Sequence, residues 1–162
     1  MIPVSVVRPT CCESILTDLL IVGVGNLLMG DDGAGLRVIE RLRGEILPEG
    51  VRLEDAGLCG LGLLDIWRGH RKVWLIDAVN VAGGCPGEVR WLPAQAVPRV
   101  ERFDAHGGLE AVLTLAAELG ELPEELELLA IVPEQVAPGQ RLSAACARAV
   151  EAAVGMVLER LA

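Results

Sequence analysis

Leu19-Leu20-Ile21-Val22-Gly23-Val24-Gly25-Asn26-Leu27-Leu28-Met29-Gly30-Asp31-Asp32-Gly33-Ala34-Gly35 runs from an apolar stretch through a glycine-rich turn to two adjacent carboxylates. This order predicts a buried strand, a tight turn and the start of a helix. The turn has the outline of a phosphate-binding loop, but its chemistry is wrong for one. A dinucleotide loop wants a third glycine where Leu28 stands, so that pyrophosphate can sit on the helix N-terminus. A P-loop spacing fits Gly25 to Gly30, but Lys and Ser or Thr should follow it. Asp31 and Asp32 stand there instead and would repel phosphate. One aspartate, Asp31, is explained as a helix cap that answers the helix dipole. Two suit a cation or an acid–base task better.

Outward from that stretch, strands and helices alternate. Strand one is predicted over 18–23 and helix one over 32–43, with Leu36, Ile39 and Leu42 on one face and Gly44 as the stop. Strand two covers 51–54 and ends at Asp55. Gly57, Gly60 and Gly62 lead a short helix to Trp67. Strand three covers 73–76 and ends at Asp77. The glycine-rich link 82–87 is too short for a helical crossover, so strand four (88–92) is expected to be an antiparallel edge strand. A helix follows over 109–119, then strand five over 126–132 and a last helix over 143–161. The pattern implies an α/β fold with a mostly parallel sheet covered on both faces. Residues 1–17 form an N-terminal extension, and 18–162 form a single domain.

Composition narrows the partners. Of 162 residues, 52% are hydrophobic, yet aromatics amount to three Trp and one Phe, so the core must be aliphatic. The net charge of −9 disfavours nucleic acid and anionic membrane surfaces. No apolar run is long enough to span a bilayer. Arg8 follows the short apolar patch near the start rather than preceding it, unlike a secretory leader. The five cysteines, at 11, 12, 59, 85 and 146, show no CxxC spacing and are expected to be reduced thiols of a cytoplasmic protein.

In sheets of this kind ligands bind beyond the carboxyl ends of the strands. Asp31/Asp32, Asp55 and Asp77 all fall there. Asp77 closes a run that must be buried, so it needs a hydrogen-bonding loop, a partner or a metal. The plainer alternative is an aspartate that ties the next loop. His70 lies in the polar turn Arg68-Gly69-His70-Arg71-Lys72 and is expected at the solvated surface. His106, in Asp104-Ala105-His106-Gly107-Gly108, is either a loop residue or the third donor of a site with Asp32 and Asp77. Two carboxylates and one imidazole suit a divalent transition ion without singling one out. A serine elbow and a zinc-protease helix are both missing from the sequence. Cys59 is a nucleophile only if His106 lies beside it, and a small buried thiol is the plainer reading.

Together these motifs resemble the hydrogenase maturation endopeptidases. The resemblance is carried by Gly23-x-Gly25-Asn26-x-Leu28-x-x-Asp31-Asp32-x-x-Gly35, Asp55-x-Gly57-x-x-Gly60, Asp77-Ala78, His106-Gly107 and Val132-Pro133-Glu134, and it covers the chain from about residue 18 onward. It implies a three-layer α/β/α sandwich around a twisted five-stranded sheet. It also implies an endopeptidase, usually grouped as aspartic-type, that removes the C-terminal extension of a nickel–iron hydrogenase large-subunit precursor after nickel insertion. The metal-binding set it implies falls on Asp32, Asp77 and His106. The first acid is often Glu in relatives and is the shorter Asp here. Leu58 replaces a frequent Thr. Asp55 matches an acid of the family pattern and is carried over, with Asp32, as a catalytic candidate or as a recognition residue.

The implied metal is nickel, delivered in the substrate; another divalent ion suits the free protein. Water would attack the scissile carbonyl, which is polarised by the metal or faced by a carboxylate that activates the water. Two other classes stand beside this reading: a metal-sensing maturation chaperone that binds the precursor and never cuts, and a nucleotide-binding module. A cysteine peptidase using Cys59 is a third.

Overall fold

A computed structural model describes residues 19–58, 60–93, 96 and 109–162. Its centre is a five-stranded sheet in the order β2-β1-β3-β5-β4. The strands are β1 (Leu19–Val24), β2 (Val51–Gly57), β3 (Lys72–Ala78), β4 (Val89–Pro93) and β5 (Glu125–Ile131). All neighbours are parallel except β4, which runs antiparallel to β5 at the edge.

Among the described residues four helices cover the sheet: α1 (Ala34–Leu42), α2 (Leu63–Trp67), α3 (Leu109–Leu119) and α4 (Ala144–Leu161). Alternation along each strand separates the two faces. Leu20, Val22, Val73, Leu75 and Leu128 pack with α2 and α3. Leu19, Ile21, Trp74, Ile76, Leu129 and Ile131 pack with α1 and α4. Both faces are closed, so the central strands read as unbroken apolar runs rather than as alternating ones. The result is the three-layer sandwich with one antiparallel edge strand that the sequence led us to expect.

The core is almost wholly aliphatic, and its tryptophans do specific work. Trp74 meets Trp91 edge to face at 5.0 Å, and the Arg160 guanidinium lies 5.1 Å and 4.4 Å from the two ring centres. Trp67 donates from Nε1 to the Glu121 carbonyl at 3.2 Å, which satisfies its one polar atom in an otherwise buried place.

Several boundaries shift from those expected. β2 continues to Gly57 and β3 to Ala78, so Asp55 and Asp77 lie within strands rather than beyond them. The segment after the first turn opens as a 3-10 turn over Gly30–Gly33, and regular α1 begins only at Ala34. Ser143 is the N-cap of α4, its side chain accepting from the Cys146 N–H, rather than the first helical residue. The short link after β3 does not pair β4 with its predecessor. It carries the chain past the carboxyl end of β5, tied there by Val79 N–H to the Ile131 carbonyl at 2.9 Å and Gly87 N–H to the Val132 carbonyl at 2.8 Å. β5 therefore fills the place between β3 and β4.

Candidate active site

The strand order reverses at β1. Through α1 the chain moves to β2 on one side; through α2 it returns to β3 on the other. Such a reversal is the topological switch point of the sheet, and the crevice where sheets of this kind take ligands lies between the loops leaving β1 and β3. Asp32 comes from the β1 side of that crevice and Asp77 from the β3 side.

Two glycines bring the backbone segments that carry these acids close to one another. A Cβ on Gly35 would stand 2.3 Å from the Ile76 carbonyl oxygen and 2.6 Å from that of Val24, so only glycine lets α1 lie this close to the sheet. Gly35 follows Asp32 by three residues, and Ile76 immediately precedes Asp77. Gly25 has φ +141°, and a Cβ there would meet the Asp32 carbonyl oxygen at 1.9 Å. That same carbonyl accepts from the Asn26 N–H at 3.2 Å. The turn is thus closed on the backbone of Asp32, and the 3-10 turn that carries it packs against β3.

The two neighbouring aspartates have different surroundings. Asp32 is half-buried at the crevice. Asp31 is fully buried, with 0% exposure. Its Oδ2 accepts from the backbone N–H groups of Glu134 and Gln135, both at 2.9 Å, and its Oδ1 accepts from that of Ser143 at 2.6 Å. Burial alone would raise the Asp31 carboxyl. The hydrogen bonds from Gln135, Ser143 and Glu134 outweigh it and hold the group below the ordinary carboxylate range. The expectation that Asp31 caps its own helix is therefore corrected: no side-chain cap bond forms there. Asp31 instead binds the segment between β5 and α4 to the first loop. The two loops also exchange backbone bonds, Gly30 N–H to Gly139 at 2.7 Å and Gly139 N–H to Leu28 at 2.9 Å, beside a cavity of about 410 Å³ lined by Gln135, Pro138, Arg141 and Ser143.

Asp77 is also fully buried. It pairs in register with Ala130, and strand alternation places its side chain on the face of Val73 and Leu75, the side covered by α2 and α3. Asp55 lies at the end of edge strand β2, is exposed, and accepts from the Gly57 N–H at 3.0 Å, which tightens the turn that follows. The Gly25 N–H donates to the Gly57 carbonyl at 3.1 Å, so the β1 and β2 loops form one connected rim.

His106, Asp104 and Cys59, along with Cys11 and Cys12, lie outside the described residues. His106 precedes Leu109, the first residue of α3, by three positions. Among the described residues no three His, Cys, Asp or Glu side chains gather to hold a metal. His70 differs from its expectation: it is half-buried and lines an open cavity of about 680 Å³ with Arg52, Glu54 and Asp65. Cys146 is buried, its Sγ 3.7 Å from the Val132 carbonyl. Burial first, and then the nearby Asp31 charge, push its thiol up to about 11. No helix among the described residues is long and apolar enough to cross a membrane.

A sequence model of hydrogenase maturation proteases matches residues 36–160. The chain belongs to this family. Its relatives include the hydrogenase 2 maturation protease of Escherichia coli K12, 31% identical over an alignment of 147 positions that covers 88% of this chain and 90% of that one. A putative hydrogenase maturation protease of Methanocaldococcus jannaschii is 33% identical over 156 residues, covering 87% and 94%. The solved structure of the E. coli hydrogenase maturating endopeptidase HybD aligns with TM-score 0.78 at 31% identity, covering 88% of this chain and 91% of that one. A hydrogenase 2 maturation peptidase from a Thaumarchaeota archaeon aligns with TM-score 0.66 at 35% identity, covering 88% and 97%. The maturation protease fold is therefore common to these proteins and this one.

Proposed function

We propose that this protein is the endopeptidase that removes the C-terminal extension of a nickel–iron hydrogenase large-subunit precursor after nickel has been inserted. One observation carries the reading. In a chain of the maturation protease family, Asp32 and Asp77 flank the crevice where the strand order reverses, held there by the close approach of Gly35 to Ile76.

Asp32 and Asp77 are the residues that would hold the nickel arriving in the precursor. His106 is the third donor, three positions ahead of the helix on the Asp77 face. Two carboxylates and an imidazole suit a divalent transition ion. Held there, the ion would supply Lewis-acid polarisation of the scissile carbonyl. The chain's own groups do the rest. The crevice positions the peptide bond beside Asp32. A carboxylate, Asp32 or the exposed Asp55 on the adjoining loop, takes a proton from water as its oxygen attacks the carbonyl carbon. The carbon–nitrogen bond then breaks, and the proton passes to the leaving amine. Asp55 also faces any segment bound along the rim and contributes to its recognition. The aspartic-type grouping and the cytoplasmic location expected from the sequence belong to this same reading.

The test uses nickel-loaded and nickel-free precursor, with the product measured by mass. Cutting of the loaded form alone is expected, together with its loss in His106→Ala. Equal cutting of both forms, or unimpaired cutting by His106→Ala, would overturn metal docking. Binding without any cutting would favour the chaperone class instead.

A further inference from the structure

Seven large hydrophobic side chains are exposed among the described residues, and four of them stand at the carboxyl end of the sheet: Leu27, Leu28, Leu58 and Leu61. They occupy two neighbouring loops, those leaving β1 and β2, whose backbones are joined by the Gly25–Gly57 hydrogen bond. Four outward leucines on two joined loops of an acidic protein (net charge −9) call for an explanation, because single exposed leucines are ordinary but several on adjoining loops mark an interaction surface.

The exposure is built in. Leu28 is 60% exposed although both its backbone polar groups are tied. Its N–H donates to Asn26 Oδ1 at 2.9 Å, and its carbonyl accepts from the Gly139 N–H at 2.9 Å. The side chain is therefore held outward by a fixed backbone. Leu58 is 61% exposed and follows Gly57, whose φ of +51° and bond to the Asp55 carboxylate set the direction of the turn. A leucine fixed in water gives the free protein nothing, yet it is ready to dock without an ordering cost.

We propose that Leu27, Leu28, Leu58 and Leu61 form the docking rim for an apolar, acid-poor segment of the precursor polypeptide next to the scissile bond. The occupant follows from the surroundings. The rim is built on the loop that carries Asp32 and on the loop hydrogen-bonded to it, so whatever covers it lies beside the bond being cut. Asp32, Asp55 and Glu54 on the same two loops and strand end repel acidic side chains, so an apolar segment poor in carboxylates fits best. Leu28 and Leu58 are accordingly specificity-determining residues that bind substrate without touching the reacting atoms. The inference rests on the endopeptidase reading, with the large-subunit precursor as substrate.

The experiment compares Leu28→Asp, Leu58→Asp and the double variant with wild type on nickel-loaded precursor, measuring both cleavage and direct binding. Each single variant is expected to raise KM and Kd about tenfold, the effect of losing one buried leucine at an interface, with kcat within about twofold. Leu28→Met is expected to restore tight binding. Ile46→Asp, at a side chain 99% exposed between α1 and β2, is the control and should change nothing. Unchanged KM and Kd in both single variants would overturn the rim while leaving the endopeptidase reading intact. A wild type that binds but does not cut, with binding weakened in the variants, would keep the rim and sink the cleavage reading. A wild type that neither cuts nor binds would sink both.

Discussion

Asp31 Oδ1 accepts a hydrogen bond from the Ser143 backbone N–H at 2.6 Å, across 112 positions of sequence. With the Glu134 and Gln135 amides on its other oxygen, this one carboxylate fixes the start of α4 and the end of β5 to the loop that carries Asp32. Replacing it leaves buried amide donors facing an uncharged group.

Asp31→Asn is therefore expected to cost about 2–4 kcal/mol at pH 7, read by urea unfolding with tryptophan fluorescence. The pH dependence has a definite sign. The folded carboxyl lies below its ordinary value, so its stabilisation is fully present above about pH 4 and is lost as pH falls through the folded value. The gap between wild type and Asp31→Asn should narrow in acid. A gap that stays constant down to pH 3 would contradict this account.

Two glycine-to-alanine changes should have opposite signs. At Gly35 the new Cβ would be 2.3 Å from the backbone oxygen of Ile76, which cannot swing away as a side-chain tip can. A loss of about 1–3 kcal/mol is expected, with slower precursor cleavage because α1 lifts Asp32 from β3. At Gly155, inside α4, the new Cβ meets nothing within 4 Å. There alanine should stabilise by about 0.4–1 kcal/mol through helix propensity and a less flexible unfolded chain. Thermal or urea midpoints shifting in the same direction for both would refute the close-approach argument.

Much of this architecture was legible in the sequence, and the parts that were not have physical reasons. The Leu109–Leu119 helix and the run from Val73 to Ile76 are read directly from apolar spacing, because both faces of the sheet are covered. Asp32 and Asp77 stand out in the sequence because glycine and aspartate at a strand end are costly unless used. The role of Asp31 was hidden, since its three partners lie more than a hundred positions away and are backbone groups with no sequence signature. The outward leucines were hidden for a related reason. Leu28 after an apolar strand looks like core until the Asn26 and Gly139 bonds fix its backbone.

The thiols should divide by exposure. Cys85 is exposed, whereas Cys146 is buried with its pKa raised to about 11, so little thiolate forms near neutral pH. Brief alkylation of the native protein, followed by peptide mapping, should label Cys85 and spare Cys146 until denaturant is added. Early labelling of Cys146 would mean that the contact between α4 and β5 opens readily.

The vicinal pair itself gives the sharpest comparison. Asp31 and Asp32 are neighbours with the same side chain, yet one is buried under three amides and the other is half-buried at the crevice. Asp32→Asn should lower cleavage of nickel-loaded precursor by about 10²-fold or more while costing less stability than Asp31→Asn. Asp31→Asn, assayed well below its unfolding midpoint, should retain most of the wild-type kcat. The two variants therefore separate on a plot of stability against rate. If Asp31→Asn instead abolished turnover while still folded, its carboxylate would be acting on the reaction through the Asp32 loop, and the division between a structural and a functional aspartate would fail.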